Sequence, residues 1–158
     1  MNEQVHKVYL SLGSNKGDRQ KNLNLAIEQI SNRIGSVVSQ SDFFVTEPMG
    51  FKSTHLFYNI AICIETACSA KDILEITQQI EKNLGRKQKS VNGVYHDRVI
   101  DIDILLYDDR IINRPELQIP HPRMKERRFV LEPLAQIAPS LIIPNETKTI
   151  AELLADIC

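Results

Sequence analysis

Apolar residues recur along this chain at two different spacings, and the switches between them divide it into elements. Val8, Leu10 and Leu12 alternate with Lys7, Tyr9 and Ser11, the period of two expected of a strand. Gly13, Ser14, Asn15, Lys16 and Gly17 then form a turn, and Asp18 is placed to cap a helix. Leu23, Ile27, Ile30 and Ile34 follow at helical spacing up to Gly35. A second strand is predicted over residues 37–45 and a third over residues 57–65. In the third, Tyr58, Ile60, Ile62 and Ile64 share one face, which leaves Phe57 and Asn59 on the other. Ser69, Ala70, Lys71 and Asp72 resemble a capping box opening a helix with Ile73, Ile76, Ile80 and Leu84 on its apolar stripe, closed by Gly85. A fourth strand covers residues 98–107, which carry Asp101 and Asp103 within an apolar run.

The order strand, helix, strand, strand, helix, strand is the split arrangement of ferredoxin-like folds, so the expected class is α+β with a mostly antiparallel sheet and helices packed on it. An extra C-terminal hairpin is expected from residues 110–112 and 117–119. A helical region interrupted by Pro133 follows, and a last helix that Thr149 and Glu152 can cap. Residues 47–56 and 87–97 lack periodicity and connect well-patterned elements, so both are expected to be mobile.

Composition narrows the class without changing that picture. With 158 residues one domain, residues 1–158, is expected. The 19 Lys and Arg against 20 Asp and Glu give no general attraction to nucleic acid or membrane. No secretory leader or spanning segment is apparent, which points to the cytoplasm. Cys63, Cys68 and Cys158 have neither disulfide-framework nor zinc spacing, so they are expected to be reduced, with Cys63 packed in a strand.

Asp101 and Asp103 are where pattern and chemistry conflict. Alternation puts both on one strand face, about 6–7 Å apart at Cα, with Ile100, Ile102 and Ile104 on the other. On this reading the first face is chemical and the second is core. Two desolvated carboxylates that close need a cation, and hard oxygen donors favour Mg²⁺ or Mn²⁺. A solvent-facing pair bridged by Arg98 is the alternative. Positive charge comes from Arg86 to Lys89, from Arg98, and from His121 to Arg128, and arginine forks suit phosphate oxygens. Gln78 and Glu81 share a helix face beside the apolar stripe, where spacing alone favours a solvated role. His121, between two prolines, either faces phosphate or occupies a turn without a ligand. Phe57, Asn59, Phe129 and the segment from Thr46 to Gly50 suggest a flat polar ring between aromatic planes; aromatic core filler is the competing reading. No Walker A loop or dinucleotide fingerprint is present.

In combination these residues resemble the 6-hydroxymethyl-7,8-dihydropterin pyrophosphokinase family. The likeness runs from Tyr9 to about Pro144. It rests on Leu12-Gly13-Ser14-Asn15, Thr46-x-Pro48-x-Gly50, Phe57-x-Asn59 and Gln78-x-x-Glu81-x-x-x-Gly85-Arg86. Arg98-x-x-Asp101-x-Asp103 and Pro120-His121-Pro122-Arg123-Met124 leading to Arg127-x-Phe129 complete it. The resemblance implies a magnesium-dependent transfer of the pyrophosphoryl group of ATP to a pterin hydroxymethyl group in folate biosynthesis, releasing AMP. By the same resemblance Asp101 and Asp103 would bind two Mg²⁺ ions, and Arg86 and Arg98 would stabilise charge. Gln78, Glu81, Arg86, Arg98, Ile104, His121 and Arg127 match ATP-site positions. Thr46, Met49, Phe57, Asn59, Tyr95 and Phe129 match pterin-site positions, and Lys89 lies in the family's catalytic loop. The partners implied are ATP and the pterin, with no nucleic acid or membrane, acting in a monomer or weak homodimer. A regulatory module of the same fold, or another Asp-x-Asp transferase, is the competing reading.

Overall fold

In the computed structural model, which describes residues 4–46, 56–85 and 99–157, the first alternating run becomes β1 (His6–Ser14). α1 (Arg19–Arg33) follows, its N-terminus capped by the Asp18 carboxylate, which accepts from the Lys21 N–H at 3.1 Å. The long second strand predicted from pattern is instead two pieces, β2 (Ser36–Gln40) and β3 (Phe44–Thr46). Both lie beside β4 (Phe57–Thr66), and the break between them is a local change of register. α2 (Ala70–Asn83) opens with the Ser69 hydroxyl accepting from the Asp72 N–H at 3.1 Å. β5 (Asp101–Tyr107) then enters the sheet, and β6 (Ile112–Asn113) pairs antiparallel with β7 (Gln118–Ile119). A 3-10 turn (Met124–Glu126), α3 (Arg128–Ile137) and α4 (Ile150–Ile157) complete the described chain.

The main sheet runs β2-β4-β1-β5 with every pair antiparallel, so β1 and β4 are its two interior strands. Its two faces carry separate cores. Val8, Leu10, Leu12, Ile60, Ile62, Ile64, Ile102 and Ile104 meet Leu23 and Ile30 of α1 and Ile73 and Ile80 of α2. On the other side Ala61, Leu105 and Leu106 meet Val130, Leu131 and Leu134 of α3 and Ile150 of α4. The division into one chemical and one core face is therefore corrected. The carboxylate face is polar only toward one end of the strands and is a second core along the rest.

A bulge in β5 makes that second core possible. Tyr9 pairs with Leu106 and Leu10 with Ile104, so Leu105 is an extra residue. Leu105 and Leu106 both turn to α3, and Tyr107 swings back to the first core, its hydroxyl donating to the Cys68 carbonyl at 2.7 Å. Pro133, expected to interrupt the following helix, lies inside α3 instead. It is buried with Val130, Leu131 and Leu134, and that burial outweighs the hydrogen bond a proline forgoes. Cys63 is buried in β4 and is unbridged, as is Cys68. Gly35 closes α1 against β4 so tightly that a Cβ there would stand 2.2 Å from the Glu65 carbonyl oxygen. Among the described residues no helix is long and apolar enough to cross a membrane.

Candidate active site

Three neighbouring strands place the polar residues in rows. Gly13 of β1 pairs with Asn59 of β4 on one side and Asp101 of β5 on the other. One row deeper, Ser11 pairs with Ala61 and Asp103. Paired residues share a face, so Asn59, Asp101 and Asp103 all project on the side covered by α3. With strands about 4.8 Å apart, Asn59 and Asp101 stand about 10 Å from each other across Gly13. Gly13 is what allows that spacing to stay open: a Cβ on it would sit 2.9 Å from Asn59 Oδ1 and 3.7 Å from Phe57 Cδ1.

On the β4 side, Asn59 is buried and its amide nitrogen donates to Thr46 Oγ1 at 3.0 Å. Thr46 pairs with Phe57 and Phe44 with Asn59, so all four share one face. Phe44, half-buried, had no signal in the pattern, because its face depends on the register change between β2 and β3. The return into β4 is held by Arg19, whose guanidinium donates to the Leu56 carbonyl at 3.2 Å and lies 5.1 Å from the Tyr58 ring centroid.

On the β5 side, both carboxylates are half-buried. Glu81 overturns the solvated role that spacing favoured. It is 6% exposed and its carboxylate accepts from the Ile102 N–H, between the two aspartates, at 2.8 Å. Gln78 lies one turn earlier and is half-buried. The side chain of Ile104 belongs to the first core, facing away from the aspartates. Its backbone N–H, two residues on from Ile102, faces the same outer edge of β5.

His121 follows a cis Ile119-Pro120 bond and is tied to β5 by its N–H, which donates to the Leu105 carbonyl at 3.0 Å. Its Nδ1 accepts from the Arg123 N–H at 3.2 Å, which leaves the proton of the neutral ring on Nε2. Burial, with Arg127 and Arg123 adding to it against the opposing pull of Asp101, lowers the imidazole pKa to about 4. The ring is thus a neutral donor beside a carboxylate and two cations. Arg127 lies 5.5 Å from the centroid of Phe129, in the first turn of α3. Met49, Arg86, Lys89, Tyr95 and Arg98 lie outside the described residues, as do nearly all of the two connections expected to be mobile.

Carboxylates, a buried amide, aromatic rings and a neutral imidazole at one end of a sheet suit a phosphate-bearing ligand lying beside a flat heterocycle. The family profile described as 7,8-dihydro-6-hydroxymethylpterin-pyrophosphokinase (HPPK) matches residues 9–139. The chain belongs to the HPPK family. It is 51% identical over 135 residues to the 2-amino-4-hydroxy-6-hydroxymethyldihydropteridine pyrophosphokinase of Porphyromonas gingivalis, covering 85% of this chain and 92% of that one. The enzyme of the same name from Bacillus subtilis is 41% identical over 130 residues, 82% of this chain and 76% of that one. Among solved structures, a Plasmodium falciparum HPPK-DHPS with pteroate shares the fold, with a TM-score of 0.78 at 14% identity. The match spans 99% of this chain and 43% of that longer one.

Proposed function

We propose that this chain transfers the pyrophosphoryl group of ATP to the hydroxymethyl group of 6-hydroxymethyl-7,8-dihydropterin, giving the pterin diphosphate and AMP in folate biosynthesis. Membership of the HPPK family and the row Asn59, Gly13, Asp101 carry the reading. The row sets a buried amide about 10 Å from a carboxylate on one face, a spacing that would suit a heterocycle at one end and phosphates at the other. The split order of strands and helices further supports a ferredoxin-like core forming one domain over residues 1–158.

Asp101 and Asp103 fit divalent metal. They are oxygen donors on one face, and among the described residues no group of three or more His, Cys, Asp or Glu side chains could hold an ion alone. Two hard carboxylate donors suit Mg²⁺, which is held by one or two carboxylates together with substrate phosphates. Bound Mg²⁺, two ions on this reading, would neutralise the polyphosphate and fix its orientation. Glu81 fixes the peptide between the aspartates and so their direction. Arg127 and the His121 Nε2–H would donate to phosphate oxygens, with Arg86 and Arg98 adding charge and Lys89 acting from its loop. Ile104 would meet the nucleotide through its backbone edge, beside Gln78. Thr46 and Asn59 would read the polar edge of the pterin, Phe57, Phe129 and Tyr95 its faces, with Met49 beside them.

The test is AMP formation from ATP and Mg²⁺, with and without the pterin, in the wild type and Asp101→Ala. Pterin-dependent AMP that disappears in the variant is the expected result. ATP binding without AMP in the wild type would overturn the reading in favour of a non-catalytic module.

A further inference from the structure

The carboxamide of Gln136, far from the carboxylates, makes two hydrogen bonds to one residue. Its Oε1 accepts from the Asp42 N–H at 2.6 Å, and its Nε2 donates to Asp42 Oδ2 at 2.8 Å. Asp42 lies in the break between β2 and β3. Gln40 pairs with Ile62 and Phe44 with Asn59, so four steps on one strand, 40 to 44, match three on the other, 62 to 59. Ser41 still faces Ala61, its N–H donating to the Ala61 carbonyl and its hydroxyl accepting from the Ala61 N–H, each at 2.9 Å. Asp42 and Phe43 therefore stand opposite Ile60 alone. Phe43 packs into the first core, leaving Asp42 as the extra residue.

That one residue decides which way β3 points. With the bulge, Thr46 pairs with Phe57 and its hydroxyl reaches Asn59. Without it the pairing would slip by one, Val45 would oppose Phe57, and the Thr46 hydroxyl would turn to the other face. Phe129 and Gln136 are seven residues apart on α3, two turns, and so lie on one side of the helix. One side of α3 thus carries Phe129, read above as a pterin contact, and grips the residue that sets the register of β3.

We propose that Gln136 is a positioning residue for the pterin site, acting through the Asp42 bulge to hold Thr46 on the site face. This rests on the reading of Thr46 and Asn59 as pterin contacts. Both clamp residues are solvent-exposed, so their bonds add little to global stability and their effect falls on geometry. The experiment measures KM for the pterin and for ATP, kcat and Tm in Gln136→Ala, Gln136→Glu, Thr46→Val and the swap Asp42→Asn with Gln136→Glu. In the swap the amide introduced at position 42 donates to the new carboxylate at position 136, which still accepts the backbone N–H of residue 42, so both bonds return.

The expected result is a pterin KM raised about 10- to 100-fold in Gln136→Glu, less in Gln136→Ala, with ATP KM and Tm nearly unchanged. The swap should return it to within about threefold of wild type. A raised pterin KM in Thr46→Val with wild-type values in both Gln136 variants would remove the positioning role alone. Wild-type pterin KM in Thr46→Val would remove the pterin reading and the proposal with it. Failure of the swap to restore KM, or parallel losses of both KM values and Tm, would also overturn it.

Discussion

Glu81 acts on the aspartates from the far side of the strand. Its carboxylate takes the Ile102 N–H, and a buried N–H left without an acceptor costs about 1–3 kcal/mol. Glu81→Leu is therefore expected to lower stability by about that amount and to reduce turnover. Glu81→Gln keeps an acceptor and should retain most of the stability, as urea denaturation of both variants would show. His121 gives a signed pH dependence in the metal-free protein. Its folded pKa of about 4 lies below the ordinary 6.5, so in that interval the unfolded chain binds a proton that the folded one refuses. Stability should fall as pH drops from about 6.5 and level off near 4, and the slope should flatten in His121→Asn. An unchanged slope in that variant would assign the acid loss to other groups. Period-two alternation was enough to put Asp101 and Asp103 on one face. It could not reveal Glu81, because helical spacing places a residue beside a stripe and is silent about a partner 21 positions away.

Helix beginnings were legible because capping is local. Asp18, Ser69 and the Thr149–Glu152 pair are each placed by residues within one turn, and Thr149 and Glu152 exchange bonds of 2.9 and 3.2 Å. Thr149→Ala should cost about 1 kcal/mol, read as a lower denaturation midpoint with turnover unchanged. Two features were not legible. The break between β2 and β3 exists because β4 and α3 hold a bulge there, and neither neighbour is visible in residues 37–45. Pro133 remains helical because its surroundings are buried, a tertiary effect that overrides its intrinsic preference.

The alternation of strands with helices was enough to indicate a mixed fold built on an antiparallel sheet. The second core was hidden because its residues, Ala61, Leu105 and Leu106 among them, lie in strands whose pattern already accounted for one buried face. Since both cores share that sheet, Leu131→Ala on one side and Ile73→Ala on the other should each cost about 2–5 kcal/mol and leave a single unfolding transition in urea. The interior place of β1 also has a consequence for synthesis. β1 is translated before both of its partners, with β4 on one edge and β5 on the other, and the last of these ends at Tyr107. During translation both edges of β1 wait for distant segments to emerge, and the closing of the β1–β5 edge is a long-range, slow event. Asp101 and Asp103 arrive with that closing strand, so a nascent chain acquires its paired carboxylates only when the sheet itself is finished.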